Sequence, residues 1–207
     1  MAWEVFNVLG TIAFAISGAI VAREEEFDIL GVYVLGFVTA FGGGIIRNLL
    51  IGIPVTSIWG QNALFTVALV SMTLVFFAPS RWIASWKRWI DFFDAIGLAA
   101  FAIQGALYAH NMEHPMSAVL IAAVLTGIGG GIIRDVLAGR QPLVLKDEIY
   151  AFWAILAGFA IGFDLVERDW QLYVLFLVVV LLRLFSLRYR WQLPKRALHE
   201  DKKNLPL

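Results

Sequence analysis

Seven apolar stretches separated by short polar clusters make up most of the chain, at about 3–22, 29–52, 61–79, 90–109, 116–139, 149–165 and 170–187. Alone or with its flanks, each approaches the roughly 20 residues that an α-helix needs to cross a bilayer. The pattern predicts an all-α integral membrane protein of seven transmembrane helices, one membrane domain over 1–207, with a polar tail at 188–207. A cleaved signal peptide competes for the first stretch, but Met1-Ala2-Trp3-Glu4 lacks the positive n-region of such a peptide. We read it as a true span.

Composition supports this solvent. Hydrophobic residues make up 60% of the chain and charged ones 15%, against roughly a quarter charged in soluble domains. Mean hydropathy is +0.79. With no cysteine there is neither a disulfide frame nor a thiolate metal site, and a net charge of zero gives no reason to expect nucleic acid as a partner.

The apolar pattern also repeats. Shifting the chain by 87 residues lays Asn7–Gly52 on Asp94–Gly139 without a gap, and 19 of the 46 positions are identical. The best-matched segment is GGGIIR, at Gly42-Gly43-Gly44-Ile45-Ile46-Arg47 and again at Gly129-Gly130-Gly131-Ile132-Ile133-Arg134. Three spans per repeat is an odd number, so the second copy enters the membrane from the opposite side. The expected architecture is two inverted three-helix repeats, 3–80 and 90–166, plus a seventh helix at 170–187.

Basic residues orient the chain. Twelve of the sixteen Lys and Arg fall in the loops after the first, third and fifth spans and in the tail, whereas the opposite side has only Arg168. The expectation is a multi-pass protein of the cell membrane, N-terminus outside and C-terminus cytoplasmic. Trp3, Trp59 and Trp170 would mark the outer interface, with Trp82, Trp86, Trp89 and Trp191 at the inner one. The basic tail would also meet anionic lipid.

Three consecutive glycines in a span admit two readings. They let neighbouring backbones approach closely, or they break the helix and free carbonyls for a permeating cation where the backbone lines a wet path. Repetition in both halves favours broken second and fifth helices lining a pore. Arg47 and Arg134 follow the triplets, and Asp94 and Asp135 stand where the first repeat has Asn7 and Asn48. The formal charges of Arg47, Arg134, Asp94 and Asp135 sum to zero, which points to neutralisation inside the bundle; snorkelling to an interface is the alternative. Depth counting puts Asp94 near Arg134. Arg134 and Asp135 are sequence neighbours and are not expected to face each other, so Asp135 should need another partner. The pairs Ser17 and Gln104, and Thr39 and Thr126, complete the polar set, as pore lining or ordinary interhelical hydrogen bonding.

His110-Asn111-Met112-Glu113-His114 fits the zinc-peptidase pattern H-x-x-E-H. It lies in a short loop before Pro115, without a helix to align ligands, so we assign no metal, cofactor or catalytic residue, and no enzyme activity.

The duplicated GGGIIRNLLIG and GGGIIRDVLAG, with AFAISGA and AFAIQGA upstream, resemble the bacterial and archaeal TRIC family, the trimeric intracellular cation channels, over about residues 5–185. The resemblance implies a homotrimer with one pore per protomer, lined by the second and fifth helices where the triplets bend them, conducting monovalent cations, chiefly potassium. It places Arg134 where the family has basic residues associated with pore control. The same paired domain is also described as a glycine-transporter domain, so a secondary transporter of glycine or another small amino acid is the alternative. Arg134 and Asp135 could meet the two charges of a zwitterion.

Overall fold

A computed structural model of the chain describes residues 2–146 and 149–191, with the side chains at 80, 82–88 and 146 outside that description. Its helices are α1 (Ala2–Glu24), α2 (Ile29–Ile51), α3 (Asn62–Phe77), α4 (Ser80–Asn111), α5 (Met116–Leu137), α6 (Leu143–Lys146), α7 (Tyr150–Gly162) and α8 (Asp169–Arg188), with a 3-10 turn at Val55–Gly60. Most ends fall within a few residues of the apolar boundaries. Helix α4 is the exception. It begins about ten residues before its apolar part, so Arg81 lies on a helix and not in a loop. No Gly or Pro interrupts Ser80–Ile96, and Pro79 precedes the first turn.

Among the described residues five helices, α1, α2, α4, α5 and α8, are long and apolar enough to cross a membrane. The third and sixth expected spans are shorter, with 16 residues in α3 and 13 in α7. At 1.5 Å per residue these reach about 24 and 20 Å, less than the roughly 30 Å hydrocarbon core. Each follows a short helical piece, Val55–Gly60 before α3 and α6 before α7. Trp59, Trp89, Trp170 and Trp191 are exposed. The side chains of Trp82 and Trp86, and the tail from 192 onward, lie outside the described residues.

The duplication is visible in the backbone. Gly52 and Gly139, 87 residues apart, both take a left-handed conformation just past a helix (φ 78° and 70°), which glycine adopts without a Cβ clash. Glu26 and Glu113, also 87 apart, take left-handed φ of 57° and 59°. The packing repeats as well. A Cβ on Gly10 would lie 2.6 Å from the Phe101 ring, and one on Gly97 would collide with the Phe14 ring, the repeat equivalent of Phe101. Phe14 and Phe101 then meet edge to face, with ring centroids 5.3 Å apart.

Contacts at the ends of the bundle set the helix directions. His114 Nε2 lies 3.1 Å from the Ile51 carbonyl, joining the end of α2 to the start of α5. Arg140 donates to Glu25 (2.6 Å) and Glu24 (2.9 Å), joining the segments after α5 and α1. Helices α2 and α5 therefore run antiparallel. So do α1 and α4, since Asn7 near the start of α1 accepts from Gln104 near the end of α4. Much of the contact surface is alanine, including Ala15, Ala19, Ala22, Ala99, Ala102 and Ala106, all fully buried. Small residues suit a lipid setting, where helix association depends on close packing because lipid tails are as apolar as the side chains.

Candidate functional site

The two GGGIIR segments meet where α2 crosses α5. Both helices remain helical through their triplets, so the expected breaks are absent and the glycines serve close packing. A Cβ on Gly43 would lie 2.8 Å from the Leu125 carbonyl oxygen and 2.9 Å from that of Thr126. One on Gly130 would overlap the Thr39 carbonyl, and one on Gly129 would come within 3.1 Å of Gly43 Cα. An intact ladder is the physical expectation here, because carbonyls released at membrane depth need water or another donor. The outer members of the triplets differ in use. Gly42 abuts Ile133, whereas the nearest atoms to a Cβ on Gly44 or Gly131 are 3.7 and 3.9 Å away, and each of these glycines borders a polar cavity. Thr39 and Thr126 are buried beside the crossing and donate to the carbonyls four residues back, Leu35 and Ala122, both at 2.6 Å.

One cavity, of about 30 Å³, is bordered by Asn7, Gln104, Thr126, Gly44, Arg47 and Asn48. This is room for roughly two waters, at 10–15 Å³ each. Arg47 donates through Nε (3.0 Å) and Nη2 (2.7 Å) to Asn48 Oδ1, and its guanidinium carbon lies 4.0 Å over the Tyr108 ring. Asn48 Nδ2 reaches Ser57 Oγ at 3.3 Å. Arg47 Nη1 has no hydrogen-bond partner among the described residues.

A second cavity, about 10 Å³, is bordered by Asp94, Gly131, Arg134, Asp135, Leu143 and Tyr150. Arg134 Nη1 donates to Asp94 Oδ1 at 2.6 Å and to Ser17 Oγ, while Ser17 donates to Asp94 Oδ1 at 2.6 Å. Arg134 also holds Asp135 Oδ1, through Nε at 2.9 Å and Nη2 at 2.8 Å. The expectation that neighbours in sequence would not meet is thus corrected: the long arginine side chain folds back along its own helix, as Arg47 does toward Asn48. Asp135 still has a second partner, with Oδ2 accepting from Leu143 N at 3.3 Å. Snorkelling is excluded for both arginines in this fold, since Arg47 is 4% exposed and Arg134 1%. The two cavities share no bordering residue, and the Gly43–Gly130 contact lies between Gly44 and Gly131.

Three side chains of this region were not singled out by the sequence. Tyr108 lies under Arg47, and the buried Tyr150 lies under Arg183, whose guanidinium carbon is 4.3 Å from the ring centre. Arg183 carried a signal of its own, an arginine within an apolar span. The tyrosines carried none, because Tyr108 aligns with Val21 across the repeat. In the H-x-x-E-H segment, His110 pairs with Asp164 (3.0 Å) and His114 with the Ile51 carbonyl. Among the described residues no group of three His, Cys, Asp or Glu could hold a metal.

Comparison with known proteins matches this geometry to a family. A family model described as "Glycine transporter" matches the chain twice, at residues 4–80 and 91–163. The chain is 61% identical to the UPF0126 membrane protein YvgT of Bacillus subtilis (strain 168), covering 97% of this chain and all of the relative. It is similar to a solved structure described under "Structural basis for conductance through TRIC cation channels" (TM-score 0.82, 39% identity, 96% of this chain and 99% of that one). It is likewise similar to a prokaryotic TRIC channel crystallised in 0.5 M KCl (TM-score 0.80, 38% identity, 92% and 98%). With both halves matched by one model and nearly the whole chain aligned to these relatives, the protein belongs to the TRIC family of multi-pass membrane proteins, described also by the glycine-transporter domain that it carries twice.

Proposed function

We propose that the protein is a homotrimeric channel for monovalent cations, chiefly potassium, in which each protomer has its own pore between α2 and α5. Its seven apolar helices span the membrane as two inverted three-helix repeats plus α8, with the N-terminus outside and the C-terminus cytoplasmic. The observation that carries this reading is a pair of polar cavities on either side of the Gly43–Gly130 contact, each bordered by the last glycine of a triplet and the arginine three residues on. In this reading the contact is the closed constriction. Parting α2 from α5 by a few ångströms joins the cavities into a wet path, with Asn7, Gln104 and Thr126 on one side and Asp94 and Asp135 on the other. Asn48 joins the first group beside Arg47, and Ser17 and Thr39 support the lining from behind.

Charge favours cations. An unscreened arginine 4 Å from a potassium ion would repel it by about 4 kcal/mol at an effective dielectric of 20. Asp94 and Asp135 neutralise Arg134 in that half and put carboxylates on the path. The neighbouring solved structures are described as cation channels, in keeping with this choice. The carrier alternative draws on the family description and on the occluding contact, which an alternating-access protein also needs. Against it, a cavity with room for roughly two waters cannot enclose a whole glycine zwitterion, as the occluded site of a carrier must. Purified protein in liposomes loaded with potassium should release it passively, without ATP. Saturable glycine uptake with no potassium release would replace the channel by the carrier.

A further inference from the structure

The repeats build one polar constellation twice and fill it differently. Under the 87-residue shift Arg47 corresponds to Arg134, Asn48 to Asp135, Asn7 to Asp94 and Ser17 to Gln104. The hydrogen bonds correspond too, since Ser17 donates to Asp94 in one half and Gln104 to Asn7 in the other. In the second half the arginine faces two carboxylates within 3 Å. In the first half both acids are amides, which accept hydrogen bonds but carry no counter-charge.

Arg47 is nevertheless as removed from water as a core residue, at 4% exposure. A charge in that position is ordinarily paired, and an unsatisfied donor carries its full desolvation cost. Here Nη1 has no hydrogen-bond partner among the described residues, and no carboxylate borders the cavity alongside. The Tyr108 ring meets the guanidinium face and leaves the edge donor Nη1 unused. The cavity adds amide groups from Asn7, Gln104 and Gln61 and has space for an occupant larger than one water.

We propose that the Arg47 cavity binds a small monovalent anionic group, a halide or the carboxylate of a small amino acid, which supplies from solution the counter-charge that Asp94 and Asp135 build into the other half. Resting on the cation-channel reading, the consequence is that a bound anion neutralises Arg47 and lowers the barrier to potassium on that side. Permeation then depends on which anion is present.

Binding is tested apart from flux. The full-length protein in detergent is melted in sodium bromide and in sodium gluconate at equal ionic strength, and separately with and without glycine. Bromide or glycine should raise the melting temperature of the wild type by a few degrees, as expected for a ligand bound to the folded state only. Bromide acting alone identifies the halide, and glycine acting alone identifies the carboxylate. Asn48→Asp places a carboxylate beside Arg47 and should abolish the shift, as should Arg47→Gln. If Arg47→Gln does not fold, Asn48→Asp carries the comparison. Crystals grown in bromide should show an anomalous peak within hydrogen-bonding distance of Arg47 Nη1 if the halide is the ligand. No shift with either ligand in the wild type, or the same shift in Asn48→Asp, overturns the site. In liposomes, wild-type potassium flux should fall several-fold when bromide is replaced by gluconate, while Asn48→Asp should be indifferent. A melting shift without potassium flux in any salt would remove the channel reading and leave the anion site standing.

Discussion

Arg134 is held from three helices at once, by Ser17 of α1, Asp94 of α4 and its own neighbour Asp135 of α5. Removing it strands two buried carboxylates. Arg134→Ala should cost roughly 3–5 kcal/mol, the usual penalty for breaking a buried pair from one side, read as a lower unfolding midpoint in detergent. The double variant Arg134→Gln with Asp94→Asn should recover part of that loss, because one of the orphaned charges goes with its partner. Arg134→Lys should not restore it, since a single ammonium cannot span the positions that the planar fork reaches. Arg47→Ala should cost less than Arg134→Ala, because it leaves amides behind and no acids; equal losses would contradict the assigned asymmetry. The sequence contained the approach of Asp94 to Arg134, through helix depth at 1.5 Å per residue. It did not contain the Arg134–Asp135 pair, because helix spacing rules describe where Cβ atoms point and a long guanidinium side chain can bend around them. Tyr108 beneath Arg47 was beyond sequence reasoning for a simpler reason: a contact between α4 and α2 leaves no local pattern.

Helices were read well from hydropathy because a lipid-facing span must be apolar and must satisfy its own backbone. The second and fifth apolar stretches accordingly begin at residues 29 and 116, as expected. The glycine triplets are ambiguous in sequence, since the same three residues serve a break or a close crossing and only the neighbouring helix decides between them. Their positions now predict a graded series. Gly130→Ala should destabilise most, Gly43→Ala next, and Gly44→Ala and Gly131→Ala least, following the clearance around each added Cβ. The first two overpack backbone against backbone and should each cost about 1–3 kcal/mol, measured by thermal unfolding. They should also disturb potassium flux, because they wedge the constriction itself. Gly10→Ala and Gly97→Ala press on the Phe101 and Phe14 rings and should lower stability while leaving ion selectivity alone. A flat series across the triplets would mean that α2 and α5 do not touch there. The apolar stretches at 61–79 and 149–165 exceed α3 and α7 for a related reason: Ala78, Ile149, Phe163 and Leu165 continue the apolar pattern but lie beyond the helix ends.

As a whole molecule the protein is expected to be an inverted duplication that places Glu26 and Glu113, equivalent in the repeat, on opposite faces of the membrane. The chain has no cysteine, so Glu26→Cys and Glu113→Cys give clean single labels. An impermeant maleimide should modify Glu113→Cys in intact cells and Glu26→Cys only after permeabilisation; labelling of both from outside would defeat the inverted arrangement. Mass measurement in detergent should give three copies of the 23.1 kDa chain, whereas a stable monomer or dimer would contradict the trimer. Neither experiment reaches the central claim, that α2 and α5 part to make a path for ions. Planar-bilayer recording of the purified protein in symmetric potassium chloride does. Discrete unitary currents are predicted, carried by potassium in preference to chloride and altered by Gly130→Ala. A silent bilayer, with liposomes of the same preparation accumulating glycine at a saturable rate, would contradict the channel and make the protein a carrier.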